Sequence, residues 1–238
     1  RLPCVIVPAR PEEVPQMKDG RIEADGGLIA ERGYRALVER LRDGSLASGQ
    51  FVSMPMLGEM LGFPIAAVRE AVKRADTLGL VSVLPKRGVM VMSADAETTR
   101  HCLDLRAILD AEGARRAVEQ HVPDPELDDI ESSHRELLAQ ARECSDGDLS
   151  RRAIAIDLSL HDYLGSRLGN PLAAEVYAVN RHRVAIIQNT RPFLPDRIVS
   201  AMEEHLAVID ALRKGDAEAA VAAVGHHHRQ TLRWWGVA

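Results

Sequence analysis

The sequence predicts a mainly α-helical protein in two parts, a small helix–helix–hairpin module at residues 28–93 and an all-α helical bundle at residues 94–238. Three observations carry this. Strong helix formers (Ala, Leu, Arg, Glu) are plentiful, while aromatics are 3% of the chain, too few for a β-sandwich built on Tyr, Phe and Trp. Helical periodicity dominates after Ser93, whereas strand-like alternation occurs before it, around Pro85-Lys86-Arg87-Gly88. Charge divides the same way: the chain carries −5 overall, but residues 28–93 carry +3 and residues 94–238 carry −7. Such asymmetry suggests separate jobs for the two parts.

Residues 1–27 contain Pro3, Pro8, Pro11 and Pro15, then Gly20, Gly26 and Gly27, without a period. A flexible tail, or an arm lying on another surface, is expected there. From Leu28 to Asp43, Tyr34, Leu37, Val38 and Leu41 share one helical face, and Gly44 and Gly49 end the run. Residues 50–53 suit a short strand. Leu57, Met60 and Leu61 mark a short helix that Gly62 stops. A third helix from about Ile65 to Leu78 has Val68, Ala71, Val72, Ala75 and Leu78 as its inner face, with Gly79 as its stop. Val81, Val83, Val89 and Val91 then alternate around a basic tip, as in a β-hairpin. This order is the layout of a winged helix-turn-helix. Beyond Ser93 about six helices are expected, with breaks near Pro123, Asp146-Gly147, Gly169-Asn170-Pro171, Pro192 to Pro195 and Gly215.

An apolar content of 46% is ordinary for a folded chain. No apolar run approaches the roughly 20 residues that span a bilayer, so no membrane association is expected. No apolar leader region follows the start, and no secretory signal is read. Cys4, Cys102 and Cys144 are few and widely spaced, which fits a reducing cytoplasm better than a disulfide scaffold or a Cys zinc site.

The third helix turns Ala66, Arg69, Glu70, Lys73 and Thr77 outward. Arg69 and Lys73 are one turn apart, so both can face a major groove. Arginine can bond guanine or phosphate in bidentate fashion, and lysine suits a phosphate. Arg69, Lys73 and Arg74, with Lys86, Arg87 and Gly88 at the hairpin tip, form the expected DNA-contacting set. The alternative on spacing alone is a solvated basic face.

A second constellation lies in the bundle. Asp157 and His161 are four apart on a face shared with Ile154, Leu164 and Leu168. His205 shares a face with Ile198, Met202, Ile209 and Leu212, and His227 shares one with Val224, Thr231 and Trp234. A buried carboxylate and buried imidazoles cost several kcal/mol unless paired or metal-bound. One carboxylate with three imidazoles suits a divalent transition metal such as Zn²⁺, Ni²⁺ or Mn²⁺. Satisfied core histidines, with Asp157 and His161 simply paired with each other, are the other reading. His228, on its own apolar face, leaves the choice within His226-His227-His228 open.

The run Leu57-Gly58-Glu59 … Val68-Arg69-Glu70-Ala71 … Gly79-Leu80-Val81 … Pro85-Lys86-Arg87-Gly88-Val89 resembles the GntR family of bacterial regulators. The bundle resembles the FCD domain of that family through Asp157-x-x-x-His161, Gly169-Asn170-Pro171-Leu172, Glu204-His205 and Gly215-Asp216-Ala217. The resemblance implies a repressor that binds a short palindrome in double-stranded operator DNA as a homodimer. It also implies a metal held by Asp157, His161, His205 and His227, the spacing of 22 from His205 favouring His227 over its neighbours. Arg106 stands where the family carries an arginine facing a ligand cavity, and Asp110 stands where it usually has Glu. The expected effector-binding residues are Arg106, Asn170 and Arg183, and the expected effector is a small carboxylate. A structural salt bridge of Arg106 with Asp110 or Asp104 is the alternative. One departure concerns DNA: Pro64-Ile65-Ala66-Ala67 stands where the family has Ser-Arg-Thr-Pro, so a helix cap and a charged contact are missing.

The sequence thus reads as a cytoplasmic, metabolite-responsive transcription repressor rather than an enzyme. Its rivals are a metal-dependent hydrolase and a regulator with a purely structural metal. Against the hydrolase, there is no HExxH motif or nucleophile elbow, and helical phase is expected to turn Glu204 away from His205.

Overall fold

The computed structural model describes residues 19–120, 124–143, 147–191 and 193–238. The elements run α1 (Asp19–Arg42), β1 (Phe51–Val52), α2 (Met54–Leu61), α3 (Ile65–Thr77), β2 (Val81–Leu84), β3 (Gly88–Val91), α4 (Ala96–Gln120), α5 (Pro125–Glu143), α6 (Gly147–Ser166), α7 (Pro171–Gln188), α8 (Pro195–Arg213) and α9 (Ala217–Trp234). The protein is mainly helical, with a winged helix-turn-helix ahead of a helical bundle. α1 begins well before Leu28, where the periodicity placed it. The remainder of the expected arm, residues 1–18, lies outside the described residues, as do Cys4 and Cys144. Cys102 is a free, buried thiol.

Local chemistry explains the winged module. Ser53 caps α2 by accepting from the Met56 amide, and Gly62 ends it in the left-handed conformation. Pro64 opens α3 with no side-chain cap, as its chemistry dictates. The inner face of α3 packs with Leu37, Leu41, Leu57 and Leu80 in one core. The hairpin pairs Val81 with Val91 and Val83 with Val89, and β1 adds antiparallel to β3, giving the sheet order β1-β3-β2. Gly88 has φ +141°, and a Cβ there would strike the Val52 carbonyl and the Phe51 ring. Glycine at that position therefore has a packing cause.

Among the described residues, six helices follow the wing, broken near the expected places. Asn170 caps α7 through the Leu172 and Ala173 amides, and Asp216 caps α9 through the Ala219 amide. α4 packs on α6, α7 and α9, while α8 packs on α5 and α9. The faces of α4, α5, α6, α8 and α9 so converge on the bundle interior. The two parts are not separate bodies in their packing. Ile186 of α7, 1% exposed, belongs to the core of the winged module.

Candidate metal centre

Asp157 and His161 on α6, His205 on α8 and His227 on α9 meet in the interior, each no more than 4% exposed. One ligand atom from each lies within 4.8 Å of all the others. Ligands about 2.1 Å from a divalent cation stand up to about 4.2 Å apart when opposed. Shifts of a few tenths of an ångström would close this set.

The hydrogen bonds around the four decide what their inner atoms can do. His161 Nδ1 donates to Asp110 Oδ2 at 2.7 Å, which leaves its buried Nε2 without a partner. His227 Nδ1 donates to Glu204 Oε2 at 2.7 Å. His134 Nδ1 donates to the Ile130 carbonyl at 2.7 Å, so its Nε2 accepts from His205 Nδ1 at 3.0 Å. All three ligand imidazoles thus spend their single N–H outward and turn the Nε2 lone pair inward. His205 Nε2 and His227 Nε2 face each other at 3.3 Å. Burial, then the neighbouring imidazoles and Arg106, push His205 well below the ordinary histidine range. Burial, then His161 and Arg106, do the same for His227. Two neutral rings meeting lone pair to lone pair offer a pair of donors that one cation could share. Nearby, the Thr231 hydroxyl stands 3.4 Å from His227 Nε2, too long for a strong bond. Asp157 completes the set: Gln188 Nε2 donates to its Oδ2 at 3.0 Å, while Oδ1 lies 3.6 Å from His205 Nε2.

The donor set, three imidazoles and one carboxylate each fixed by an outer partner, fits a divalent transition metal. Zn²⁺, Ni²⁺ and Mn²⁺ all suit it. Such an ion would supply Lewis-acid polarisation and open positions for a ligand oxygen.

Two guanidiniums flank the cluster. Arg106 on α4 is 6% exposed, with Nε 3.9 Å from Asp110 Oδ2 and its Nη1 unpartnered. Arg197 on α8 pairs with Glu204 Oε1 at 2.7 Å and donates to Thr231. Glu204 corrects the sequence reading. It does not turn away, because α9 packs beside α8 and takes the residue one step before His205. Burial raises its pKa against the pull of Arg197.

His134, Gln188 and Arg197 were missed by the sequence reading. His134 shares a helical face with Leu127, Ile130, Leu137 and Ala141 on α5, and that apolar stripe was the available signal. Of the histidine run, His226 is exposed and His228 pairs with Asp104 at 2.9 Å, so only His227 reaches the centre.

The remaining expected effector residues are not brought here. Asn170 is exposed and occupied as the α7 cap. Arg183 donates to the Leu78 carbonyl at 2.7 Å, at the contact between bundle and winged module. On the outward side of α3 and at the hairpin tip, Arg69, Lys73, Lys86 and Arg87 are exposed. Arg74 is not free for DNA: it stacks over Tyr34 at 3.9 Å and pairs with Glu31, because α1 lies along that side of α3.

The FCD domain profile matches residues 101–230. No curated protein matches the chain by sequence. Among solved structures, the fold is similar to E. coli McbR/YncC at 19% identity, with TM-score 0.73, covering 87% of this chain and 97% of that one. It is also similar to a protein of Rhodococcus sp. RHA1 assigned to the GntR transcriptional regulators, at 19% identity and TM-score 0.64, covering 92% and 99%. No helix among the described residues is long and apolar enough to cross a membrane.

Proposed function

The chain belongs to the FCD-domain family, and we propose from that premise that it is a GntR-type transcription regulator, a repressor, whose bundle binds a divalent transition metal and a small anionic effector. The observation that carries the metal is the inward-facing set of Nε2 lone pairs, closest at 3.3 Å between His205 and His227. The anion follows from charge. Asp110, Asp157 and Glu204 against Arg106 and Arg197 leave one formal negative charge around neutral imidazoles. A divalent cation turns that into one positive charge in a buried site, which a carboxylate neutralises. The unpartnered Nη1 of Arg106 is the donor for it.

A hydrolytic role finds no support, since Glu204, the spare base in the sequence, is committed to His227 and Arg197. DNA reading falls to Arg69 and Lys73 on α3 and to Lys86 and Arg87 on the wing. Homodimerisation on a palindrome is supported by the family and by an exposed apolar strip on α4 and α9 that includes Ile108, 67% exposed, and Val221. The effector releases the operator by favouring one of two conformations, and coupling of about 1–3 kcal/mol gives a roughly 5–150-fold change.

The test is metal analysis of protein purified without chelator, followed by operator selection from genomic fragments and release by a carboxylate panel. Stoichiometric metal, lost in Asp157→Ala, and release that depends on Arg106 are expected. Metal-free protein with unaltered operator release would sink the reading. Metal whose loss lowers the melting temperature without affecting release would make it structural only.

A further inference from the structure

We propose that the C-terminal turn of α7 couples occupancy of the metal centre to the winged module, through Gln188 on the metal side and Asn189 on the other. The proposal rests on the metal reading above and adds the route by which the bound ion is felt at the DNA-reading end.

Successive helical residues point about 100° apart, so four consecutive side chains at the end of α7 face four directions. Ile186 enters the core of the winged module. Ile187 packs with Leu103, Leu158 and Trp235 in the bundle. Gln188, 5% exposed, donates to Asp157 Oδ2 at 3.0 Å. Asn189 donates through Nδ2 to the Arg42 carbonyl at 2.8 Å and to the Leu41 carbonyl at 3.3 Å. Those carbonyls end α1, where the helix has no amides left to fill them. A bundle residue therefore caps a helix of the winged module. About two turns earlier, Arg183 donates to the Leu78 carbonyl, the C-cap of α3, and its guanidinium passes 3.0 Å from where a Cβ on Gly79 would sit. α7 so holds the C-terminal ends of both α1 and the recognition helix.

Asp157 differs from the other ligands in what stands behind it. The partners of His161, His205 and His227 are Asp110 on α4, His134 on α5 and Glu204 on α8, all within the bundle. The partner of Asp157 is Gln188, on the helix that packs against α1. A cation drawing together ligand atoms that lie within 4.8 Å of one another fixes the Asp157 carboxylate against His205 and His161, which now stand 3.6 and 4.0 Å from it. Gln188 follows its hydrogen bond, and Asn189 is the next residue on the same chain. Among the described residues Gln188 Oε1 is buried without a hydrogen-bond partner, so that oxygen does not anchor the amide against the movement. The seating of α1 and α3 then depends on whether the centre is filled, which is a coupling between two sites and is reciprocal.

Hydrogen exchange on the metal-free full-length chain, with and without saturating Zn²⁺, tests this. In wild type, Zn²⁺ is expected to slow exchange in α5, α8 and α9, and also in the last turn of α1 and at the α3–β2 junction. Asn189→Ala and the near-isosteric Asn189→Asp, which cannot donate, leave the four-residue donor set untouched and should still bind Zn²⁺. Both should keep the protection within the bundle and lose it at α1. Gln188→Leu at saturating Zn²⁺ should behave likewise. Zn²⁺-dependent protection of α1 that persists in all three variants, or protection confined to the bundle in wild type, would overturn the coupling and leave the metal reading intact. No protection anywhere in wild type would overturn both.

Discussion

Gly113 of α4 lies directly under the backbone carbonyl of Leu164 on α6, so close that a Cβ on Gly113 would overlap the oxygen. The crossing point is one turn from Asp110 on α4 and one turn from His161 on α6, the pair joined at 2.7 Å. Backbone on the far side cannot swing away as a side chain would. Gly113→Ala is therefore expected to cost about 1–3 kcal/mol, as overpacking typically does. For a chain of this size that is a fall of roughly 2–4 °C in Tm per kcal/mol. Metal affinity should fall with it, because the crossing sets the Asp110–His161 distance. Thermal denaturation and a chelator competition would read both, and an unchanged Tm would refute the argument.

Glu204 and Glu203 are neighbours with different jobs. Glu204 accepts from His227 Nδ1 and pairs with Arg197, whereas Glu203 is exposed and pairs with Arg142. Removing the carboxylate behind a ligand histidine loosens its ring and weakens its basicity, typically a 10–100-fold loss in metal affinity. Glu204→Gln should show that loss in competition with a chromogenic chelator, and Glu203→Gln should not. Equal behaviour of the two variants would remove Glu204 from the centre.

Two arginines on α3 should separate in a DNA-binding titration. Arg69 is exposed on the outward face. Arg69→Ala is expected to weaken operator binding and, if Arg69 contacts phosphate, to reduce the salt slope by about 1. Arg74 is held over Tyr34 and paired with Glu31. Arg74→Ala should leave the salt slope unchanged and lower stability by roughly 0.5–1 kcal/mol, the scale of an exposed cation–π contact. Fluorescence anisotropy across a salt series decides it: a reduced slope in Arg74→Ala would return that residue to the DNA face.

His182 on α7 predicts a pH dependence. Burial first, then Arg42 and Arg181, push its pKa from 6.5 down to about 4, with Asp162 opposing them. The unfolded chain takes up this proton near 6.5 and the folded chain does not until about 4. Between those values the unfolded state holds more protons, so stability is full above 6.5 and falls as the solution is acidified. His182→Asn should flatten Tm against pH over that range. The slope that remains includes His134, His205, His227 and His228, whose pKa values are also lowered. An unchanged slope in His182→Asn would show that the group is not held neutral.

The sequence alone determined the elements and which of their faces carry the buried polar groups. Periodicities of 3.6 and 2 are local, so the helices of both parts, the hairpin and the inward faces carrying Asp157, His161, His205 and His227 could be read from spacing. Spacing also separates residues on one helix, which is why Asp157 and His161 were paired at four apart. It says nothing about which neighbouring helix covers a flank. Only tertiary packing turned Glu204 to His227, set His134 behind His205, folded Arg74 onto Tyr34, and took Arg183 away to Leu78. A hydrogen bond between residues 71 positions apart, as between His134 and His205, depends on where two helices cross. That crossing is the summed outcome of contacts throughout the core, and no short window of the chain contains it.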